Sequence, residues 1–397
     1  MAAHGGEVLV AGAGFAGLEA ALALRALTHG RVHVRLLTPA NLFTYVPAAV
    51  IEPFQDAPWA QVPLSSLSRT GGFVMVKGML GIVEPEEGAV ITTDGRRLPY
   101  DALIVAVGAR RRTWLRGADI TFRGTEDVRA YRRLVDEVHV LATGGAGIDL
   151  AIVVPSGPTW SLPAYELALL TAAHLRGRGT GDRVRVTVVT AEERPLSLFG
   201  TAASEALEAL LHEQGVSVRT GTVARSRVGG ALVLSTGEQL GADRVVTMAA
   251  LSGPEIPGLP ATPLGFLPVE QDGRVPHVEG VLAAGDATDF PVKQGGVACQ
   301  MADTAAATAA IMLGHPVDPV PFAPRLRGQV WSGGDASFIR GDLAGGRDES
   351  AGVVSAHEPL WWPPGKVAGR FLTPALEGGD ARAVMRDLDP RQTPGTV

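Results

Sequence analysis

Short apolar runs alternate with glycine- and proline-rich turns along most of the chain. The first run predicts a strand at Glu7–Ala11, followed by a glycine turn at Gly12–Gly17, an apolar helix at Leu18–Leu27 and a strand at Arg31–Leu37, which together make a βαβ unit. The same pattern predicts later strands at Phe73–Met79, Gly81–Glu84, Ala89–Thr92, Ala102–Val107, Ala151–Val154, Val184–Val189, Val216–Thr220 and Gly280–Ala284, and helices at Glu126–His139 and Gly296–Leu313. Alternating strands and helices favour doubly wound, parallel α/β sheets, and the repeated series favours two such sheets in tandem.

Composition and charge narrow the class of protein. Hydrophobic residues make up 46% of the 397 residues and charged residues 19%, which excludes a disordered, collagenous or coiled-coil chain. A chain of this length is expected to form at least two packed domains. The net charge of −6, with no Lys/Arg cluster, argues against nucleic acid as a partner. With no long apolar segment and no export signal, the sequence predicts a cytoplasmic protein without a transmembrane segment.

The single cysteine, Cys299, limits the redox chemistry that the chain can perform by itself. One thiol excludes an intramolecular disulfide framework, a CxxC pair and a multi-cysteine metal site. His174 and His212 are predicted on the solvent sides of helices, so no metal site is expected. Cys299 lies in an alanine-rich helix, which is more typical of a buried small hydrophobe than of a redox thiol. We therefore expect any redox chemistry to depend on a cofactor.

The glycine turn fits the GxGxxG pattern, with Phe15 and Ala16 between its second and third glycines. Gly12 would make the turn, Gly14 would let the backbone approach a pyrophosphate, and Gly17 would pack helix on strand, with the phosphates at the helix N-terminus. The acidic residue expected after the second strand is missing, and Thr38 or Asn41 is a candidate substitute for holding a ribose hydroxyl.

Two later segments are strands that end on glycine, at Tyr100–Ala109 and Gly280–Ala287. With the first glycine motif, in this order and at these distances, they resemble FAD-dependent oxidoreductases of the pyridine nucleotide-disulfide type over about residues 7–320. The resemblance is nearest to sulfide:quinone oxidoreductases, flavocytochrome c sulfide dehydrogenases and type II NADH dehydrogenases. It rests on Phe43–Pro47, on Lys293–Gly296 followed by Gln300, and on the Trp361–Pro364 stretch, which suits a C-terminal cap over the flavin.

The resemblance implies specific roles for individual residues. Gly12, Gly14 and Gly17 would hold the FAD pyrophosphate, with Gly108 near it, and Asp286 after Gly285 would bond the ribityl chain. Tyr45 and Pro47 belong to the segment beside the isoalloxazine. Gly295 and Gly296, which open a long helix, would aim N–H groups at the flavin C2 carbonyl and so stabilise reduced flavin, with Lys293 adding positive charge. Two alternatives stay open: Asp286 as an ordinary turn cap, and Lys293 as a solvated surface charge.

The second βα series departs from the family pattern. Where a second GxGxxG would stand, the segment Val153–Glu166 keeps one glycine, Gly157, and carries prolines and Trp160. Such a turn blocks the close approach of a second pyrophosphate, so efficient NADH binding is not expected. Sulfide-oxidising relatives have a catalytic cysteine near the position of Ser161, and this chain has none there. Glu166, on the following helix, is a candidate proton-transfer group, the alternative being a first-turn glutamate that complements the helix dipole.

The sequence therefore predicts an FAD flavoprotein that passes electrons from an unidentified small-molecule donor to a quinone or another acceptor. The alternatives are an NADH:quinone oxidoreductase and a flavoprotein-derived binding or assembly protein without turnover. We expect a discontinuous FAD-binding domain at 1–118 and 248–325, an inserted NAD-domain-like fold at 119–247 and a C-terminal cap at 326–397. The sequence leaves open a homodimer and a peripheral membrane contact.

Overall fold

The structure is a computed structural model, and it describes residues 6–334, 336–342, 353–355, 358–361 and 365–378. The seven α-helices of the described residues are α1 (Phe15–Leu27), α2 (Leu64–Gly71), α3 (Val128–Thr143), α4 (Leu162–Gly177), α5 (Thr201–Glu213), α6 (Gly295–Met312) and α7 (Leu372–Leu376).

The strands fall into three stretches of the chain. The first stretch contains β1 (Glu7–Ala11), β2 (His33–Thr38), β3 (Leu42–Thr44), β4 (Gln61–Pro63), β5 (Val74–Lys77), β6 (Leu80–Glu84), β7 (Ala89–Thr92), β8 (Arg97–Pro99), β9 (Ala102–Val105) and β10 (Arg110–Arg112). The second contains β11 (Ile120–Phe122), β12 (Ile148–Val153), β13 (Val184–Val189), β14 (Val216–Arg219), β15 (Ala224–Val228), β16 (Ala231–Leu234), β17 (Gln239–Gly241), β18 (Arg244–Met248) and β19 (Ala250–Ser252). The third contains β20 (Val281–Ala283), β21 (Arg325–Val330), β22 (Ser337–Asp342) and β23 (Val353–Ser355).

Two five-stranded parallel sheets organise the chain, as the sequence predicts. The first has the order β20-β9-β1-β2-β5, so its edge strand comes from a part of the chain far beyond the other four. The second has the order β11-β18-β12-β13-β14. Their central strands are nearly continuous apolar runs, and all four residues of β9 are buried. Burial on both faces is what a parallel sheet covered by helices requires.

Helices α1 and α6 pack on the first sheet and against each other; α1 buries mainly alanine and leucine, and α6 mainly alanine. Small side chains let the two helices approach closely. Because α1 follows β1 and α6 follows β20, both helix N-termini lie near the carboxyl ends of the strands. Smaller antiparallel sheets, β6-β7-β8, β15-β16-β17 and β21-β22-β23, flank this framework.

Several element bounds differ from the predicted ones. Helix α1 begins at Phe15 rather than Leu18, because Gly14 is already extended backbone and serves as the N-cap. Strand β9 ends at Val105 rather than Val107, since the chain turns at Gly108 with φ +76°. Helix α3 spans Val128–Thr143 instead of 126–139: the Asp127 side chain first accepts the backbone N–H of Arg123, closing a turn, and the helix then runs on to Gly144.

Candidate active site

A cavity of about 400 Å³ lies at the carboxyl edge of the first sheet, where α/β proteins bind ligands. The loops that follow β1, β9 and β20 and the start of α6 bring predicted site residues into its lining, namely Gly12, Gly14, Phe15, Ala16, Gly108, Asp286, Lys293 and Gly295. A second wall is formed by Thr159, Trp160, Leu162, Pro163 and Glu166 and by Lys366 and Val367 of the C-terminal part of the chain. Residues that are distant in the sequence therefore converge on one space.

The three glycines of the turn differ in how much space surrounds their Cα atoms. Gly12 has φ +109°, and a Cβ there would lie 2.2 Å from the carbonyl oxygen of Ala106. A Cβ on Gly17 would lie 1.8 Å from the Gly12 carbonyl oxygen. At Gly14, by contrast, a Cβ would meet nothing within 4 Å. The first and third glycines are thus needed for packing, whereas the second leaves open space in the cavity wall at the N-terminus of α1, which suits a phosphate.

Asp286 follows β20 and is half-buried in the cavity lining. Burial raises the pKa of its carboxyl, and the charges of Lys293 and Arg111 oppose that rise. The short helical turn around it is not capped by a side chain, so the capping alternative is wrong for Asp286. Its carboxylate remains available to a hydroxyl-bearing ligand.

Lys293 is buried, with 5% of its surface exposed. Its ammonium donates to the carbonyl oxygens of Thr288 and Asp286 and lies 3.9 Å from the centroid of the Phe266 ring. Burial lowers its pKa to about 8. The surface-charge alternative is therefore wrong, and the lysine places positive charge inside the cavity wall.

The start of α6 is held in place by Gln294. Its side-chain oxygen accepts the Val297 N–H at 2.8 Å and its amide donates to the Arg327 carbonyl oxygen at 2.8 Å. Gly295 lines the cavity, and a Cβ there would lie 3.0 Å from a methyl of Val367. Gly296 and Gly285 lie behind the lining: a Cβ on Gly296 would face the Gln294 side chain.

Glu166 on α4 forms a buried ion pair with Lys366. Glu166 Oε1 also accepts the Trp331 N–H at 2.8 Å, and Oε2 has no hydrogen-bond partner among the described residues. Lys366 donates to the Gln329 carbonyl oxygen and lies 4.2 Å from the centroid of the Trp331 ring. Burial raises the pKa of Glu166 and lowers that of Lys366, and each charge opposes the shift of the other.

The alternative role for Glu166 at the helix N-terminus is wrong, because α4 begins at Leu162 and its first turn holds no acidic residue. Lys366 was not predicted from the sequence. The signal was weak but present, since it is one of three lysines in the chain and stands in a region otherwise poor in candidate chemistry.

Pro47 is part of the cavity lining, but Tyr45 is not. Tyr45 packs against Phe15 and its hydroxyl accepts the Val367 N–H at 3.0 Å. Burial raises the pKa of Tyr45 to about 12. Tyr45 therefore fixes the C-terminal chain against the site.

Thr38 and Asn41, the candidate ribose partners, are not in the cavity lining. Thr38 is buried and its hydroxyl accepts the Ala40 N–H at 3.1 Å. Asn41 accepts from Lys77 at 2.6 Å. Both side chains are already used in local bonds.

Three arginines that the sequence analysis did not single out also line the cavity, namely Arg111, Arg123 and Arg327. The positive charge of Arg111, on β10, lowers the pKa of the Asp286 carboxyl and so opposes the effect of burial. Arg123 is held by Asp127, its guanidinium donating to both carboxylate oxygens at 2.8 and 2.9 Å.

The second sheet carries a filled counterpart of the glycine turn. Trp160 packs against Phe199, with ring centroids 5.6 Å apart. Ser161 and Tyr165 donate their hydroxyls to Glu192 at 2.9 and 2.6 Å. Glu192 follows β13, the second strand of this series, where an acidic residue of a dinucleotide site would hold a ribose. Here the hydroxyls of Ser161 and Tyr165 already donate to the Glu192 carboxylate, in place of a ribose. Sequence reasoning missed this feature.

Cys299 is buried on α6, with 1% of its surface exposed, which confirms the prediction of a small buried residue. Burial raises the pKa of its thiol. Trp361, predicted to cover the flavin or to line an acceptor pocket, packs against Phe338, donates to the Gly365 carbonyl oxygen at 3.0 Å and is not among the residues that line the cavity. Trp362, Pro363 and Pro364 lie outside the described residues.

Within the described part of the chain, no group of His, Cys, Asp and Glu side chains is arranged to hold a metal ion. Over the same residues, no helix is long and apolar enough to cross a membrane.

Tandem parallel sheets, with an open glycine turn on the first and an acidic turn at the end of β20, define a dinucleotide-binding oxidoreductase. Comparison with known sequences specifies the family. The chain belongs to the pyridine nucleotide-disulphide oxidoreductases, whose family model matches residues 6–310. It is an FAD-dependent oxidoreductase.

Individual relatives extend this assignment. The chain is 31% identical over 305 residues to an NADH dehydrogenase-like protein of Mycobacterium tuberculosis. The aligned region covers 70% of this chain and 72% of that protein. Its fold is similar to the sulfide:quinone oxidoreductase of Aquifex aeolicus, with a TM-score of 0.77, 19% identity and coverage of 96% and 92% of the two chains. It is also similar to NDH2 of Plasmodium falciparum, with a TM-score of 0.58, 16% identity and coverage of 72% and 64%.

Proposed function

We propose that this protein passes electrons from a small-molecule donor through FAD to a quinone or a similar acceptor. The observation that carries the proposal is a single cavity with two chemically different walls. One wall holds the glycine turn, Asp286 and the start of α6. The other holds the buried pair Glu166 and Lys366. Such an arrangement suits a bound redox cofactor facing a substrate that exchanges protons.

The residues of the first wall fit FAD. The open space at Gly14 leaves room for the pyrophosphate at the α1 N-terminus. Asp286 would hold a ribityl hydroxyl, and the α6 N-terminus with buried Lys293 would offer positive charge to a reduced flavin. When bound there, FAD supplies the two-electron redox chemistry of the isoalloxazine ring.

The second wall supplies proton chemistry. Reduction of a quinone to a quinol takes up two electrons and two protons; when the electron pair moves as hydride, one proton travels with it and the protein must supply the other. Glu166 holds a proton more readily than an exposed glutamate because burial raises its pKa, and its Oε2 has no hydrogen-bond partner among the described residues. Lys366, in contact with the other carboxylate oxygen, limits this rise and keeps the proton exchangeable. We therefore assign Glu166 as the proton donor to the acceptor and Lys293 as an electrostatic partner of the flavin.

NADH as the donor is the second candidate, and the NADH dehydrogenase-like relative favours it. Against it stand Pro155, Pro158 and Trp160 at the turn where phosphate would bind, because proline has no N–H to offer. The occupied carboxylate of Glu192 adds to this argument. Oxidation of sulfide by a two-cysteine route is disfavoured because the chain has one cysteine.

The test is a donor and acceptor screen on protein purified with its flavin. The proposal expects a flavin spectrum, slow bleaching by NADH and NADPH under argon, and rapid reoxidation of chemically reduced protein by a water-soluble quinone. Protein that stays colourless after refolding with excess FAD would favour the binding-protein alternative. A coloured protein whose reduced flavin is not reoxidised by quinones would remove the proposed acceptor.

A further inference from the structure

The C-terminal segment, defined as residues 365–376, connects the cavity with the outer side of α1 and α6. At its start Lys366 and Val367 line the cavity. Four residues later Phe371 and Leu372 are buried, with 0% and 1% of their surfaces exposed. Whatever fastens the second part of this segment therefore also fixes where Lys366 lies.

Glu19 on α1 fastens it. The side chain is fully buried, and its two oxygens accept the N–H groups of Phe371 at 2.8 Å and of Leu372 at 2.7 Å. These N–H groups open α7 and have no partner within that helix. The backbone at Gly369 packs closely against the carboxylate. A Cβ on Gly369 would lie only 2.6 Å from Glu19 Oε2, so there is no room for a side chain.

Asp303, on α6, is a hydrogen-bonding neighbour of Glu19. A proton on one of two neighbouring buried carboxyl groups is favoured, since two carboxylates repel each other. Asp303 Oδ1 is buried and has no hydrogen-bond partner among the described residues. The other titratable or charged groups facing the pair are Cys299 on α6, Arg370 of the C-terminal segment and Arg327 on β21.

We propose that Glu19 and Asp303 form a proton-holding clamp that docks the C-terminal segment, so that Glu19 acts as a positioning residue for Lys366 at the cavity. The clamp itself does not depend on the proposed electron transfer. Its consequence for proton delivery by Glu166 and Lys366 rests on that proposal.

The clamp has a defined pH dependence. Burial raises the pKa of Glu19 to about 7 and that of Asp303 well above its usual range. Release of the segment would expose both groups to water and return the pKa values to their ordinary range. The docked state then binds more protons than the released state, so docking is strongest at low pH. The equilibrium constant for docking falls by about tenfold per pH unit for each proton involved as the pH rises towards 7.

Hydrogen exchange of the flavin-loaded protein, read by mass spectrometry on peptides that cover Phe371 and Leu372, tests the clamp. After correction for intrinsic exchange, protection of these amides is expected to fall between pH 5.5 and 8. Glu19→Gln removes one of the two titrating groups, so the fall in protection with pH should be clearly shallower than in the wild type. Asp303→Asn, which can still donate to Glu19, should keep protection and move its loss to lower pH. The matched control is Glu137→Gln on the exposed side of α3, which should match the wild type.

A wild-type profile that does not depend on pH, or a Glu19→Gln profile that matches the wild type, would overturn the clamp. If Glu19→Gln does not fold, the wild-type and Asp303→Asn profiles still decide. Failure of the clamp and failure of the proposed function are distinguishable, because amide protection does not require turnover. Protection that follows the predicted profile in a protein that quinones do not reoxidise would retain the clamp and remove the electron-transfer proposal.

Discussion

The two parallel sheets share one architecture but present different turns at their carboxyl edges. After β1 the chain leaves open space at Gly14 next to a helix N-terminus, whereas after β12 it carries two prolines and packs Trp160 against Phe199. After β13 it also satisfies Glu192 with the hydroxyls of Ser161 and Tyr165. The topology of a dinucleotide site is therefore present twice, but the open turn is present once. A nucleotide site depends on which side chains fill the edge of the sheet, since the strand order is common to both.

Filling the open space at Gly14 should have the largest effect, and it should act on FAD binding. Gly14→Val would place two methyl groups in the space that a pyrophosphate requires, so we expect purified protein to lose most of its FAD, with affinity reduced at least about a hundredfold. The measurement is the flavin-to-protein absorbance ratio and equilibrium titration with FAD. Gly147→Val is the matched control, because a Cβ there also meets nothing within 4 Å but lies away from the cavity. Equal FAD content in both variants would contradict the assignment.

Glu166→Gln should have the next largest effect, because it removes a proton carrier while keeping the side-chain shape. General acid catalysis is commonly worth about 10²–10⁴-fold, so quinone-dependent reoxidation should slow by at least tenfold. In the wild type the rate should fall as the pH rises through the raised pKa of Glu166, because only the protonated form donates. The variant should lose this dependence. Stopped-flow reoxidation at several pH values measures both, and an unchanged profile in the variant would exclude Glu166 as the donor.

Tyr165→Phe tests the filled edge of the second sheet. It removes one hydrogen bond to the half-buried carboxylate of Glu192, and hydrogen bonds to charged groups contribute about 1.5–3 kcal/mol. We expect a loss of stability of that size in urea unfolding, with no gain in NADH affinity, since the prolines remain. Tight NADH binding by the variant would show that the hydroxyls alone had closed the site.

Cys299→Ala should have the smallest effect. The thiol is buried and its pKa is raised, so it is a poor nucleophile. We expect sulfide-dependent and quinone-dependent rates to change less than twofold, with a stability cost near 1 kcal/mol for a small cavity. A rate change beyond tenfold in anaerobic assays would give Cys299 a redox role.

The sequence was sufficient for the fold and for one wall of the cavity. Apolar runs identified the parallel strands, and the glycines at 12, 14 and 17 identified the turn, because both depend on local pattern. The bounds of α1 and α3 were missed by a few residues, since caps such as Gly14 and the Asp127–Arg123 turn decide them.

The other wall was predicted only in part, because the sequence named Glu166 as a candidate proton-transfer group but not its partner Lys366. Glu166 and Lys366 are 200 positions apart, and no spacing rule links them. The bond between Glu19 and the C-terminal segment spans 352 positions and is equally invisible in the sequence. Lys293 was predicted to add positive charge at the flavin, with a solvated surface charge as the alternative, and the local pattern could not show its burial beside Phe266.

The central claim is that the first sheet binds FAD while the second sheet has lost its nucleotide site. Anaerobic stopped-flow mixing of the FAD-loaded protein with NADH, followed at the flavin absorption band, tests it most directly. We predict slow bleaching whose rate rises linearly with NADH and does not saturate at micromolar concentration, while the flavin remains bound and quinone-reactive after chemical reduction. Rapid bleaching that saturates at micromolar NADH would contradict the claim and identify the protein as an NADH-dependent oxidoreductase.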